Sequence, residues 1–236
     1  MSFLIGIIVV GMAFLALYWV FYGQRKYDDM FVPKKKTKLK AVLFDMDGVI
    51  IDSFDASYKI FNELRKKYKL SIMSREEYRK SVWGGFFTDN VKKYLKTNDV
   101  ADIETYHKKL ILKYKNGVKL MPGAKKVLKA IKKKNIKIGL VTNTIRGQTA
   151  DKLRHHEIKN YFDAVVTGSD VERVKPYPDP VLKLCKRLEV TPEEAILVGD
   201  TKNDYKAGKA AGCMVVGLNS DGDFVISKLD ELLQLV

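Results

Sequence analysis

Two aspartates, Asp45 and Asp47, stand one residue apart directly after four apolar residues, Ala41-Val-Leu-Phe44, and directly before Gly48. A continuous apolar run reads as a strand buried on both faces, and two carboxylates with a turn glycine at its end look like a placed site. Three further apolar runs lead into polar residues. Val141 runs into Thr142-Asn143, Gly199 into Asp200, and the run ending at Thr167 leads through a short loop to Lys175. In open α/β sheets ligands bind outside the carboxyl ends of the strands, so these residues are expected at one sheet edge. Three carboxylates, a hydroxyl, an amide and a lysine suit phosphoryl chemistry. Hard oxygen ligands hold a magnesium ion; hydroxyl groups and amides cradle phosphate oxygens, and lysine neutralises their charge.

The elements that must position these residues follow from periodicity. Strands are expected at Ala41–Phe44, Ile136–Thr142, Asp163–Thr167, Ala195–Gly199 and Met214–Leu218. Helices are expected at Ala124–Lys134, near Thr149–His156, at Asp179–Leu188 and around Asp204–Ala211. Such alternation implies an α/β fold, a Rossmann-like parallel sheet with helices on both faces. Between Ser53 and Lys119 the pattern is helical throughout, which reads as an inserted all-helical cap. Its first helix carries Tyr58, Phe61, Leu64 and Tyr68 at helical spacing, with Asp52 or Ser53 as N-cap. Further helical patterns cover Glu76–Val82, Asn90–Leu95 and Ile103–Tyr114. Trp83-Gly-Gly-Phe-Phe87 interrupts the cap, and is either a hydrophobic turn closing the insertion's own core or a lid loop that meets the substrate. The resulting division is 1–24, 25–39, the core at 40–52 and 120–236, and the cap at 53–119.

Residues 1–24 carry no charged side chain, and Phe3 to Tyr22 is an unbroken apolar and aromatic run. As a helix it would span roughly 30 Å, the thickness of a bilayer's hydrocarbon core. This predicts one uncleaved N-terminal transmembrane helix, with the aromatic cluster Tyr18, Trp19, Phe21 and Tyr22 at its interface end. Arg25 to Lys40 carries seven basic and two acidic side chains, so the positive-inside rule places the following domain in the cytoplasm, on a single-pass protein of the cell membrane. The Lys34–Lys40 run either lies against anionic headgroups or is a solvated tether that only sets topology.

The whole chain holds 43 basic and 28 acidic residues in 236, a formal charge of +15. That balance favours anionic partners, a small phosphorylated substrate among them. The lysines are scattered along helix surfaces without an aromatic stacking platform, which argues against nucleic acid. Cys185 and Cys213 have no metal or redox spacing, and Cys185 reads as helix packing. His107, His155 and His156 read as surface residues.

The ordered set Asp45-Met-Asp47-Gly-Val49, Thr142-Asn143, Lys175-Pro-Tyr-Pro178 and Gly199-Asp200-Thr-Lys-Asn-Asp204 resembles the four motifs of the haloacid dehalogenase-like hydrolases. The likeness is strongest to the phosphoglycolate phosphatase and β-phosphoglucomutase branch and covers about residues 40–220. It implies that Asp45 is the nucleophile and that Asp47 moves protons, its backbone carbonyl also reaching the metal. It further implies that Thr142, Asn143 and Lys175 bind the phosphoryl group and that Asp45, Asp47, Asp200 and Asp204 form a Mg²⁺ site. Asp204 could serve from outside the ligand shell, or be only a helix N-cap. Dehalogenases lack the second carboxylate of the first motif, so Asp47 implies a phosphatase or phosphotransferase. A phosphomutase, or a non-catalytic protein at the membrane surface, is the alternative, and the anchor raises a phosphorylated lipid as a further substrate.

Overall fold

The computed structural model describes residues 38–95, 97 and 100–236, of which Leu39–Val236 form one compact unit. Eight strands are present among them: β1 (Ala41–Phe44), β2 (Ile51–Asp52), β3 (Lys119–Leu120), β4 (Lys137–Val141), β5 (Ala164–Val166), β6 (Ala195–Gly199), β7 (Met214–Leu218) and β8 (Phe224–Ile226). Six of these build one sheet in the order β5-β4-β1-β6-β7-β8, with every pairing parallel. β1 is central, with Phe44 level with Leu140 of β4 and Val198 of β6. The chain runs outward from β1 on one side and returns to build the other. A crevice therefore opens where β1 ends, beside Asp45.

Both faces of β1 are buried, and its side chains alternate between two cores. Val42 and Phe44 join Val127, Leu128 and Ile131 of α5 (Ala124–Lys133), with Leu153 of α6 (Arg146–His155). Ala41 and Leu43 join Val181, Leu184 and Leu188 of α7 (Asp179–Leu188), with Ala207 of α8 (Lys202–Ala211). Val42, Leu43 and Phe44 have no exposed surface. Burying each contributes about 1.5–3 kcal/mol, so a register slip is costly and Asp45 emerges at one fixed point.

A separate apolar cluster holds the cap, built from α1 (Phe54–Lys67), α2 (Arg75–Ser81), α3 (Phe87–Tyr94) and α4 (Val100–Tyr114). The two connections into it pair with each other. Ile51 lies opposite Leu120 and Asp52 opposite Lys119, making a short antiparallel ribbon at the base of the cap.

Several local readings change. β8 and the 3-10 segment Leu229–Gln234 add a sixth sheet strand and a C-terminal cover that the sequence pattern does not announce. β8 is only three residues long, and Phe224 and Val225 are exposed, so it carries little apolar signal. α6 begins at Arg146, three residues before the expected start, and its polar first turn hides the onset. Cys185 and Cys213 are both buried in the second core cluster, where their thiols meet. Lys40, counted in the basic flank, pairs with Glu194 at 2.6 Å. Among the described residues no helix is long and apolar enough to cross a membrane. The anchor expected over 1–24, and the tether as far as Thr37, lie outside the described residues.

Candidate active site

The turn after β1 is a tight one. Met46 O accepts hydrogen bonds from the backbone N–H groups of Ile50 and Ile51, and Gly48 N–H donates to Ile51 O at 2.7 Å. Met46, Val49, Ile50 and Ile51 are fully buried, so the loop carrying both aspartates is anchored in the core rather than free. Gly48 has φ +89°, and a Cβ there would lie 2.2 Å from Asp200 Oδ2. Only glycine allows both the left-handed backbone and the close approach of that carboxylate.

Lys175 is buried at the centre of the site. Its ammonium donates to Asp45 Oδ1 at 2.7 Å, Asp204 Oδ1 at 2.6 Å and Val141 O at 3.1 Å, which uses all three hydrogens. Burial alone would push this lysine down, but Asp204 and Asp45 outweigh it and hold Lys175 well above its ordinary value. Asp45 is pushed well up, first by burial and then by Asp204 and Asp200, against the pull of Lys175. Asp200 is raised to about 7 by burial and by Asp204, while the Trp83 hydrogen bond and Lys175 pull it down.

Asp45, Asp200 and Asp204 each offer a carboxylate oxygen, all within 4.8 Å of one another. Three carboxylates against one ammonium leave an excess of negative charge in a buried place, and Asp200 Oδ1 is buried there without a hydrogen-bond partner among the described residues. Hard oxygen donors, excess negative charge and an orphaned oxygen together fit a small divalent cation. Asp204 is the least available of the three. One of its oxygens accepts from Lys175, and the other from the Thr201 hydroxyl at 2.5 Å and the Thr201 N–H at 3.1 Å, closing a capping box at the start of α8. Its N-terminal helix position and its place beside the cluster are thus both realised.

Asp47 is held by a separate set of partners. Its Oδ1 accepts from the Ser53 hydroxyl at 2.5 Å and from Lys152, and its Oδ2 accepts from the Thr144 hydroxyl at 2.9 Å. Burial pushes Asp47 up, but Lys152, Ser53 and Thr144 prevail and hold it below its ordinary value. Ser53 occupies the N-cap position of α1 but makes no side-chain cap there, because its hydroxyl is given to Asp47. In the sequence Ser53 reads only as an N-cap candidate, and Thr144 and Lys152 are not singled out. Thr144 follows Thr142-Asn143 and could have been read with them. Lys152 is one of 43 basic residues and carries no distinguishing signal.

Thr142 is buried, and its hydroxyl accepts from the Thr144 N–H at 3.1 Å while lining the cavity beside Asp45. Asn143 sits in the same loop, but its side chain is committed to backbone. Its amide donates to Gly84 O at 3.0 Å and Lys175 O at 2.9 Å, and its carbonyl accepts from Lys175 N–H at 2.9 Å. Asn143 therefore clamps the Lys175 loop and a cap loop together. Asn203 donates to the same Gly84 carbonyl at 3.1 Å.

The Trp83–Phe87 loop packs into the cap's own core and also reaches the core domain. The Trp83 ring packs edge-on against Phe54 at 5.1 Å inside the cap, while its Nε1–H donates to Asp200 Oδ2 at 2.7 Å across the cap–core junction. Replacing Trp83 by Phe keeps the packing and removes a hydrogen bond to a charged group. A loss of about 1.5–3 kcal/mol is expected, measured by urea unfolding of the metal-free protein.

His107 is half-buried rather than on the surface. Its ring stacks on Phe87 at 4.0 Å, and burial, with Lys152 nearby, lowers it to about 4. His155 is exposed and His156 half-buried; both line the cavity, and burial lowers His156.

The residues on this sheet edge can be set beside known proteins. The family description "Haloacid dehalogenase-like hydrolase" matches residues 42–218. The phosphoglycolate phosphatase of Salmonella typhi is 31% identical over 210 residues, covering 78% of this chain and 82% of the relative. The phosphorylated carbohydrates phosphatase of Thermotoga maritima is 28% identical over 179 residues, 74% of this chain and 82% of the relative. The solved structure of CbbY from Rhodobacter sphaeroides, in complex with phosphate, superposes with a TM-score of 0.72 at 23% identity, covering 82% of this chain and 96% of that one; this likeness concerns the fold. With the matched region running from β1 to the end of β7, and so through every motif at the site, the chain belongs to the haloacid dehalogenase-like hydrolases and is a phosphoric monoester hydrolase.

Proposed function

We propose that this protein is a Mg²⁺-dependent phosphatase that hydrolyses a small phosphate monoester through an aspartyl-phosphate on Asp45. The observation that carries the reading is the Lys175 ammonium bridging Asp45 and Asp204, with the orphaned Asp200 oxygen beside them at the end of β1.

Asp45 Oδ2 is the free nucleophilic oxygen, since Lys175 holds Oδ1. Attack on phosphorus forms the Asp45 O–P bond and breaks the bond to the leaving oxygen. Lys175 offsets the charge on nucleophile and phosphoryl group, and the Thr142 hydroxyl donates to a phosphoryl oxygen. Because Lys152, Ser53 and Thr144 hold Asp47 ionised, the proton it passes to the leaving oxygen is one brought in by the substrate's phosphate monoanion. In the second half-reaction Asp47 takes a proton from water, whose oxygen attacks phosphorus and releases Asp45. Asp45, Asp200 and the Asp47 backbone carbonyl would hold Mg²⁺, with Asp204 behind them. When bound, the ion supplies positive charge to the transferring group. Asn143 positions the Lys175 loop and contacts the phosphate less directly than the sequence implies.

The same proposal places residues 1–24 in the cell membrane as a single span and the catalytic domain at its cytoplasmic face. Its support is the 20-residue apolar run from Phe3 to Tyr22 and the basic flank that follows.

Acid quenching of the Mg²⁺-loaded enzyme during turnover of radiolabelled p-nitrophenyl phosphate is expected to leave hydroxylamine-labile label on the peptide bearing Asp45. Turnover without protein-bound label would remove the covalent step. Conversion of a hexose 1-phosphate to its isomer, without release of phosphate, would replace hydrolysis by a mutase reaction.

A further inference from the structure

The cavity that contains Asp45 and Asp47 reaches well beyond them. It holds about 520 Å³, within the range that encloses a drug-sized ligand and far more than a glycolate-sized ester fills. One wall is α1, through Ala56 and Ile60, which lie four residues apart and so on one face of the helix. α1 starts next to Ser53, which touches Asp47, and Ile60 lies seven residues on, roughly 10 Å along the axis at about 1.5 Å per residue. A second wall carries Ile111 and Val118, from α4 and the segment after it.

Several polar side chains along the cap portion are spent on the protein itself. The Asn90 amide, for example, donates to Val82 O at 2.9 Å, and the Tyr114 hydroxyl donates to Glu63 at 3.3 Å. His107 is stacked on Phe87. A polyol placed there would give up hydrogen bonds to water and find mostly carbon. An alkyl or aryl body would find a wall of its own kind.

We propose that the substrate is a phosphate monoester of an alcohol with an extended apolar body, alkyl or aryl, seated between α1 and α4 with its phosphate at Asp45. This rests on the phosphatase reading above and names its substrate class. Lys108 and Lys115, exposed on the lining of the same cavity, add positive charge that draws an anionic ester toward it.

Two parallel series test this on the full chain in mild detergent with Mg²⁺. In the first, kcat/KM is measured for n-alkyl phosphates from methyl to hexyl, beside phosphoglycolate and glucose 6-phosphate. A rise of about threefold per methylene is expected, carried by KM, with hexyl phosphate ahead of both polar esters. In the second, the non-hydrolysable n-alkylphosphonates are ranked by the increase they cause in melting temperature, expected to grow with chain length. Ile111→Asp, which puts a carboxylate in the second wall, is expected to flatten both series. Turnover with no chain-length gain, or a tenfold preference for phosphoglycolate or glucose 6-phosphate, would overturn the substrate class and leave the phosphatase reading standing. Phosphonate binding that grows with chain length, without turnover of any ester, would support the pocket and remove the phosphatase reading. A chain-length gain equal in Ile111→Asp would place the alkyl body elsewhere and overturn the proposal.

Discussion

Asp45→Asn is expected to lower kcat for p-nitrophenyl phosphate by about 10⁴-fold or more, the scale seen when a nucleophile that acts as part of a unit is removed. The substitution is nearly isosteric, so it leaves the turn after β1 and its buried anchors Met46, Val49, Ile50 and Ile51 in place. An amide oxygen is a poor nucleophile toward phosphorus, and the covalent half-reaction has no other carboxylate in position. Asp200 is held by Trp83, Asp204 by Lys175 and Thr201, and Asp47 by Ser53, Thr144 and Lys152. A fold defect would produce the same loss, so stability is measured alongside. Burial raises Asp45 well above its ordinary value, which means the folded protein holds its charged form at a cost. The sign follows from linkage: a carboxylate raised on folding favours the folded state below its unfolded value and weakens it as pH rises. Asp45→Asn should therefore melt no lower than the wild type in metal-free buffer at neutral pH. Full turnover in this variant would end the assignment of the nucleophile.

What could be read from sequence divides cleanly by range. Asp45, Asp47, Thr142 and Asp200 each follow an apolar strand within three residues, and strand ends in a parallel sheet share an edge, so local pattern was enough to bring them together. Lys175 needed the ordered motif set, because a lysine in a loop carries no pattern of its own. The contacts that pattern missed are those between elements distant in the chain. Trp83 reaches Asp200 across 117 residues, and Lys152 reaches Asp47 across 105, and neither pair leaves a periodic trace. Asn143 shows the opposite limit. Its place beside Thr142 is legible, but which groups its amide would satisfy depended on where the Gly84 and Lys175 carbonyls came to rest. The short elements, β8 and the ribbon of β2 with β3, escaped because two or three residues cannot display a period.

Asp200→Asn is expected to cost roughly 10³-fold in kcat, the equivalent of several kcal/mol of charge stabilisation at the transferring group. It should also separate metal binding from folding more sharply than any other single change. In the wild type, Asp200 rises to about 7 through burial and Asp204, and its buried Oδ1 has no protein donor. Metal-free wild type should lose stability as pH climbs from about 4, the unfolded carboxylate value, through about 7, the folded one. Asparagine keeps an oxygen for the Trp83 Nε1–H and carries no charge, so metal-free Asp200→Asn should lack the share of that decline that Asp200 contributes. Its advantage in melting temperature over the wild type should be absent near pH 4 and largest above pH 7. Magnesium should reverse the order, because a cation that binds only the folded state stabilises in proportion to its affinity, and the variant has lost a ligand oxygen of full charge. Equal stabilisation of both proteins by saturating Mg²⁺ would move the ion away from Asp200. The orphaned oxygen would then need another donor, and the three carboxylates around Lys175 another source of positive charge.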